Sequence, residues 1–286
     1  MLILKFPLQP SYLLISFFLI VALSLPFVSQ AQSRDNQNPS EATRIFLLGE
    51  IHDNPNGHSL RLDLVMQLIL QGKNPVVAME QFDRENQASL DLALTSCKDV
   101  DCVLVKAGSP GWDWRFYKPL VQLALDKKIT LVAANLSNAD VRKVMGGGYS
   151  AVFSPQAIAK YNIDQHSNQL LSVQRKSIRE GHCNMLPLNA IDPMVQGQIA
   201  RDVWMASVIN HFEDRTVILI AGNGHVRKDV GVFQWLYPEN QSQTQVHGYV
   251  ERSEKSDADW FDHVHLMRSI DREDPCHIFT KTPLKK

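Results

Sequence analysis

The sequence has no large excess of charge of either sign, and it lacks several common catalytic motifs. Its 29 Lys and Arg residues are balanced by 30 Asp and Glu residues, which gives a formal net charge of −1. This balance gives no support to a nucleic-acid partner or to a polybasic membrane patch. The H-E-x-x-H, G-x-S-x-G and P-loop patterns do not occur. The reaction classes that these motifs mark therefore lose support.

The first 31 residues differ from the rest of the chain. Lys5 precedes an apolar run from Tyr12 to Val28, Pro26 breaks that run, and small residues follow up to Ala31. This pattern predicts a secretory signal peptide at residues 1–31, cleaved after Ala31, and hence a periplasmic or secreted protein. An uncleaved membrane anchor is the alternative, but the run is slightly short for a span. With no Cys near the cleavage site, lipid attachment is not indicated, and the polar residues 32–43 predict a flexible lead-in.

Cysteine is scarce, and the four cysteines all follow the predicted signal peptide. They are Cys97, Cys102, Cys183 and Cys276. An even number in an exported chain is compatible with two disulfides. Cys97 and Cys102 flank a four-residue segment that suits a small closed loop, and Cys183 would then pair with Cys276 by elimination. A metal site is the weaker alternative, because C-x4-C has no second pair of metal-binding cysteines.

Four short apolar runs have the composition of strands that are buried on both faces of a parallel sheet. They are residues 44–48, 75–79, 129–134 and 216–221. Helical patterns lie between them, at residues 58–71 and 117–126. This alternation predicts an α/β fold with an open, mostly parallel sheet flanked by helices.

The region from about residue 137 to 213 has no convincing strand pattern. Ser137 and the pair Ser154-Pro155 are typical helix starts, and Pro193 to Phe212 predicts a long helix. His166 is expected to be exposed in a polar helical stretch. We therefore predict a smaller helical subdomain at about residues 137–213, inserted in an α/β domain of residues 44–286.

Each predicted strand is followed by polar residues that its apolar run does not explain. They are Glu50, His52, Glu80, Asn135 and His225. In open α/β sheets, ligands bind in the crevice outside the carboxyl ends of the strands. A single His after a strand is often structural, but buried carboxylates are costly without a partner, and together the five residues predict a site. The pair His263 and His265 has strand-like spacing, and a solvated or packing role is preferred for it.

An ordered set of motifs carries a family resemblance. The motifs are Leu48–His58 (LGEIHDNPNGH), Glu80–Arg84 (EQFDR), Trp114 with Tyr117–Pro119, Ala134-Asn135, Gly181-His182 with Met185 and Pro187, Gln198 with Arg201-Asp202 and Met205-Ala206, and Gly222–Arg227 (GNGHVR) with Gly231. Over about residues 44–236 this set resembles the ChaN-like family of haem-binding uptake proteins in the Tiki superfamily.

The resemblance implies a protein that binds haem for haem or iron uptake, with no assigned catalysis. It implies that haem lies near the helical part, shared in a homodimer, with an outer-membrane haem receptor as a further partner. His182 and Met185 are the expected haem-side residues. The family's haem iron is met by a Tyr. Tyr149 and Tyr161 are the candidates, although either also suits packing.

The two G-x-x-H motifs, at residues 49–52 and 222–225, support an alternative. They resemble Tiki- and TraB-like proteins, some of which are metal-dependent peptidases. His52, His225 and one of Glu50 and Glu80 would bind Zn or Mn, and the other Glu would act as general base of a peptidase or esterase. A metal carrier without catalysis is a third interpretation. The residues expected to support the site are His58, Asn135, Asp202 and Arg227, of which Arg227 would pair with a carboxylate or an acidic ligand.

Overall fold

The computed structural model describes residues 43–252, 259–274 and 276–277. The predicted signal peptide, and the predicted lead-in apart from Thr43, lie outside the described residues. Six strands are formed: β1 (Ile45–Leu48), β2 (Val76–Asp83), β3 (Thr130–Asn135), β4 (Val217–Ile220), β5 (Thr244–Glu251) and β6 (His263–Met267). The helices are α1 (Pro55–Leu70), α2 (Gln87–Ser96), α3 (Val100–Ala107), α4 (Lys118–Lys127), α5 (Asn138–Gly147), α6 (Pro155–Tyr161), α7 (Asn168–Gly181), α8 (Leu188–Asn210), α9 (Asn223–Val226) and α10 (Pro238–Gln241).

The strands form one six-stranded sheet in the order β3-β2-β4-β1-β5-β6, and every pair of neighbours is parallel. The predicted α/β class, with an open parallel sheet between helices, is therefore confirmed. The four predicted apolar runs correspond to β1, β2, β3 and β4. Two further strands, β5 and β6, were not predicted from the sequence, and they pair His247 with His263 at one edge of the sheet.

The core consists of two layers, one on each face of the sheet. Along β1, Ile45 and Leu47 belong to the layer that contains α8, while Phe46 and Leu48 belong to the layer that contains α1 and α4. Successive residues of a strand point to opposite faces, so a strand between two layers must be apolar at every position. This explains why the central strands are continuous apolar runs.

Between β3 and β4, the chain is helical and forms α5, α6, α7 and α8. The long helix α8 begins at Leu188, five residues before the predicted start, and contains Pro193. Proline in the second turn removes only one helical hydrogen bond, so α8 tolerates it near its N-terminus. Residues such as Ile199 and Val203 of α8 are fully buried in the core layer on one face of the sheet.

Both predicted disulfides are present. Cys97 is bonded to Cys102, and Cys183 is bonded to Cys276. The second bond joins the turn after α7 to a residue 93 positions further along the chain. Within the described ranges, no helix is both long and apolar enough to cross a membrane.

Candidate functional site

The strands β2, β4 and β1 are neighbours in the sheet, and their carboxyl ends lie side by side. This arrangement brings Glu80, His225, Glu50 and His52 together, as the sequence analysis expected. The group is the strand-end cluster, which we define as Glu50, His52, Glu80, Asp202 and His225. Asp202 reaches it from α8, and it bonds His225 directly.

Glu50 is the anchor of the cluster. It is 2% exposed, and its Oε1 accepts hydrogen bonds from His52 Nδ1 at 2.7 Å, Gln81 Nε2 at 2.9 Å and the Tyr117 hydroxyl at 2.6 Å. Arg61 Nη2 lies 2.6 Å from the other oxygen. Burial raises the pKa of Glu50, but Arg61, His52 and Tyr117 together lower it below its ordinary value. Glu50 is therefore an ionised carboxylate held by three hydrogen-bond donors and by the ion pair with Arg61.

His52 is oriented by this carboxylate. Because Nδ1 donates to Glu50, the lone pair of the neutral imidazole is on Nε2. The ring lies edge-on to Trp112 at 5.0 Å, and 47% of the side chain is exposed. Burial lowers the pKa of His52, but its hydrogen bond to Glu50 and the charge of Glu80 raise it above its ordinary value.

His225 lies between two carboxylates. Its Nδ1 is 2.5 Å from Asp202 Oδ1, and its Nε2 is 3.4 Å from Glu80 Oε1. Burial lowers the pKa of His225, but the two carboxylates raise it to about 10. Burial raises the pKa of Glu80, but His225, His52 and the Gly222 amide lower it to about 2. At neutral pH the cluster therefore contains a protonated His225 beside an ionised Glu80.

The two halves of the cluster meet at Gly222. A Cβ at this position would lie 3.1 Å from His52 Nε2 and 3.8 Å from Glu80 Oε2. The amide of Gly222 also donates to Glu80 Oε2 at 2.8 Å. Because Gly222 has no side chain, the His52 ring can approach Glu80 through this space.

The described residues contain no group of three or more His, Cys, Asp or Glu side chains that is placed to hold a metal ion. His52 Nδ1 and both nitrogens of His225 face carboxylates at hydrogen-bond or ion-pair distances. The structure therefore does not support the predicted zinc or manganese centre, and it forms a network of paired acids and bases instead.

His58 and Arg61 support the cluster from α1. His58 Nε2 donates to the backbone oxygen of His52 at 2.9 Å, and its Nδ1 accepts from Arg61 at 2.7 Å. Its ring stacks on Phe116 at 4.9 Å. Burial and the charge of Arg61 lower the pKa of His58. A neutral His58 therefore fixes both the guanidinium and the backbone that hold the dyad of Glu50 and His52.

Arg227, which the sequence analysis expected to pair with a carboxylate of this cluster, lies elsewhere. It forms an ion pair with Asp229 at 2.6 Å, and its guanidinium lies 3.5 Å from the centre of the Trp260 ring. Arg61 pairs with a carboxylate of the cluster instead. It was not predicted because it lies on α1, outside the motifs that follow the strands.

A pocket of about 670 Å³ opens beside His52 and Glu80. Its wall also includes Trp112, Tyr117, Asn135, Ser137, Asn138 and Arg201. Asn135 donates to Asp83 at 2.9 Å, which places it at the end of β3 on this wall. Arg201 donates to Asn138 Oδ1 at 2.7 Å, and in the described part of the chain no carboxylate forms an ion pair with it.

The model of a family described as haem-binding uptake, Tiki superfamily, ChaN matches residues 38–236. The chain belongs to the ChaN family. A solved ChaN from Campylobacter jejuni, described as binding haem cofacially, is 21% identical to this chain, with a TM-score of 0.61 over 78% of this chain and 87% of that one. This similarity shows a shared fold. An erythromycin esterase in its open conformation is 13% identical, with a TM-score of 0.46 over 74% of this chain and 71% of that one. No curated protein matches the chain.

The residues that the ChaN resemblance assigns to haem lie on the helical part. His182 follows α7 directly, is half-buried, and its Nδ1 bonds the Ile178 backbone oxygen at 2.7 Å. Since a carbonyl only accepts, Nδ1 carries the proton and Nε2 carries the lone pair. Met185 lies in the same turn and is 43% exposed.

The two candidate tyrosines of this ChaN protein are half-buried and pack against the α8 layer of the core. The Tyr149 hydroxyl lies 3.2 Å from His166 Nε2, and Tyr161 stacks on Tyr237 with their hydroxyls 3.4 Å apart. Burial raises both pKa values, that of Tyr161 to about 12. The prediction for His166 was wrong, because it is half-buried in the loop between α6 and α7.

Proposed function

We propose that this protein is an exported haem-binding protein of haem or iron uptake, which holds haem at the surface where α7 ends. The observation that carries the proposal is the family match over residues 38–236, to proteins described as haem-binding in uptake. The cofacial haem of the Campylobacter jejuni ChaN supports the same ligand. The two disulfides are compatible with export to an oxidising compartment.

The side chains at the end of α7 have the chemistry that haem requires. His182 supplies an imidazole whose Nδ1 is held by the Ile178 backbone oxygen, and imidazole is a common ligand of haem iron. Met185 and Leu188 are 43% and 81% exposed, and they offer an apolar surface for a porphyrin face.

Cationic side chains lie on α7 in the turns before His182. Arg175, Lys176 and Arg179 line a hollow of about 460 Å³. Residues three and four positions apart share a helix face, so Arg179 lies on the side of α7 that leads to His182. Arg175 is already paired with Asp192. In this proposal Arg179 binds a haem propionate, because guanidinium groups pair well with carboxylates.

We propose that a tyrosinate would also hold the haem iron, in line with the resemblance. Tyr149 or Tyr161 would lose its proton to solvent on binding ferric iron, and it would leave its present contact with His166 or Tyr237. When bound, haem supplies the iron and the porphyrin, while the protein supplies the axial donor, the apolar surface and the cations. We propose further that a homodimer shares the haem, and that an outer-membrane haem receptor exchanges it.

The test is a hemin titration of the purified protein, followed by absorbance, with His182→Ala, Met185→Ala, Tyr149→Phe and Tyr161→Phe as variants and the exposed His211→Ala as control. We expect saturable binding with a shifted Soret band, at least a tenfold weaker affinity in His182→Ala, and wild-type affinity in His211→Ala. Loss of a charge-transfer band in one Tyr→Phe variant would identify that tyrosine as a ligand. Absence of saturable binding would refute the proposal, and equal loss in His52→Ala and His182→Ala would refute the location.

A further inference from the structure

The haem proposal above does not use the strand-end cluster or its pocket. We propose that this pocket is an active site for the hydrolysis of small esters that carry an anionic group, with His52 as the general base and no metal. The inference comes from the geometry of the dyad of Glu50 and His52, from the position of Glu80 and from the charge of Arg201.

Glu50 fixes the orientation of His52. Its Nδ1 donates to a carboxylate that three other side chains also hold, and its Nε2 carries the lone pair. Arg61 alone balances the negative charge of Glu50. The hydrogen bonds from Gln81 and Tyr117 therefore serve chiefly to fix the orientation of the carboxylate. A carboxylate that bonds one imidazole nitrogen orients the ring for proton transfer at the other. Because 47% of His52 is exposed and it lines the pocket, that nitrogen is accessible to substrate.

His52 and Glu80 lie where they can position a water molecule as the nucleophile. His52 Nε2 and Glu80 Oε2 both lie within 4 Å of the point where a Gly222 side chain would begin. Glu80 is ionised, is held by His225 and the Gly222 amide, and lines the same pocket. A water molecule between these two groups can donate one hydrogen to His52 Nε2 and the other to Glu80. The paired side chains thus position water as the attacking group.

The reaction that follows is balanced without a co-reactant other than water. The water oxygen bonds to the carbonyl carbon of the ester while His52 Nε2 takes its proton. The tetrahedral adduct then breaks its bond to the alcohol oxygen, and that oxygen takes the proton from His52. The products are a carboxylic acid and an alcohol, and His52 returns to its neutral form.

Arg201 is the pocket residue that bears on the choice of substrate. Arg201 lines the pocket, and its guanidinium bonds Asn138 and the backbone oxygen of Leu136. Among the residues that the structure describes, no acidic side chain forms an ion pair with it. Asp53, Asp83 and Asp113 also line the pocket. Asp53 and Asp113 are paired with Arg272 and Arg115, and Asp83 accepts a hydrogen bond from Asn135. Arg201 is therefore the cation of this lining that can pair with a carboxylate on the substrate. Trp112 on the same wall offers an apolar face to the acyl chain or the alcohol.

The test uses two chromogenic probes, the para-nitrophenyl monoester of succinic acid, which is anionic, and para-nitrophenyl acetate, which is neutral. Release of nitrophenol by the purified, EDTA-treated protein gives kcat and KM. We expect turnover of both esters, with a lower KM for the succinyl ester. His52→Gln should lower kcat at least 100-fold, which is the usual contribution of a general base. Arg201→Gln should raise KM for the succinyl ester about tenfold, and it should raise KM for the acetate ester less, because the acetate ester has no carboxylate to bind.

The exposed His211→Gln is the matched control, and circular dichroism of each variant reports its folding. No turnover of either ester above buffer would overturn the proposal. Equal losses in His211→Gln and His52→Gln would also overturn it, since surface histidines would then be the source of the activity. Activity that EDTA abolishes and zinc restores would overturn the metal-free mechanism. Hemin binding is measured on the same samples, so the haem proposal succeeds or fails separately.

Discussion

The buried His247 should make the stability of the protein fall as the pH falls from 7.5 to 5. His247 lies on β5 and is 6% exposed. Its ring centre is 4.7 Å from that of His263, and its Nδ1 is 3.0 Å from His265 Nε2, both on β6. Phe46 of β1 lies on another side, with ring centres 6.4 Å apart. Burial, and then the charges of His263 and His265, lower the pKa of His247 to about 3.

The direction and size of the effect follow from proton linkage. In the unfolded chain, the pKa of His247 returns to 6.5, so between pH 6.5 and about 3 the unfolded state binds a proton that the folded state does not. The stability that a neutral His247 allows is present above pH 6.5 and is lost as the pH falls through this window. For one such histidine, the free energy of unfolding decreases by about 2 kcal/mol between pH 7.5 and pH 5.

Urea denaturation at the two pH values, with the disulfides intact, measures this contribution. His247→Asn keeps an amide near the position of Nδ1 but does not titrate. Other histidines also titrate in this range, so the readout is the stability of the wild type minus that of the variant. We expect this difference to be about 2 kcal/mol smaller at pH 5 than at pH 7.5. The exposed His211→Asn serves as control, and a His247→Asn curve parallel to that of the wild type would refute the reasoning.

Three further predictions are tested by the same urea denaturation at neutral pH. Arg61→Met leaves the carboxylate of Glu50 buried without its cation, and it should lower the free energy of unfolding by about 3 to 5 kcal/mol; a change below 1 kcal/mol would contradict the ion pair. Replacing Cys183 and Cys276 by Ser should lower it by about 4.5 kcal/mol, the loop-entropy value for a loop of this length. Gly231→Ala should prevent stable folding, because its Cβ would lie 2.0 Å from a backbone oxygen; a soluble variant of wild-type stability would contradict this.

The continuous apolar runs made the central part of the fold predictable. A strand between two core layers is apolar at every residue, so β1, β2, β3 and β4 were visible in the sequence. The last two strands were not. Three histidines and Gly248 interrupt β5 and β6, and β6 at the sheet edge alternates between exposed and half-buried residues. These segments become strands because β5 pairs with β1 and β6 pairs with β5, and the contact between β5 and β1 is not local in sequence.

The candidate site was predictable to a similar extent. Glu50, His52, Glu80 and His225 follow strands whose ends must meet, so their grouping follows from the topology. Arg61, Gln81 and Tyr117 bond Glu50 from α1, β2 and the turn before α4. Arg61 and Tyr117 occur in helical patterns, where polar and aromatic residues are usual, so neither stands out in the sequence. Gln81 follows Glu80 directly, and nothing in the sequence marks it as a partner of Glu50. Their role depends on the side-chain directions in the folded protein.

The bond between Cys183 and Cys276 has a mechanical consequence. It encloses α8, β4, β5 and all of β6 in one covalent ring, including Asp202 and His225. A force applied to the two ends of the protein passes through this bond and bypasses the segment between the two cysteines, which are 93 positions apart. At about 3.4 Å per extended residue, roughly 300 Å of chain cannot be extended by this force until the bond is reduced. A peptide bond cut inside the ring would likewise leave the protein one covalent molecule.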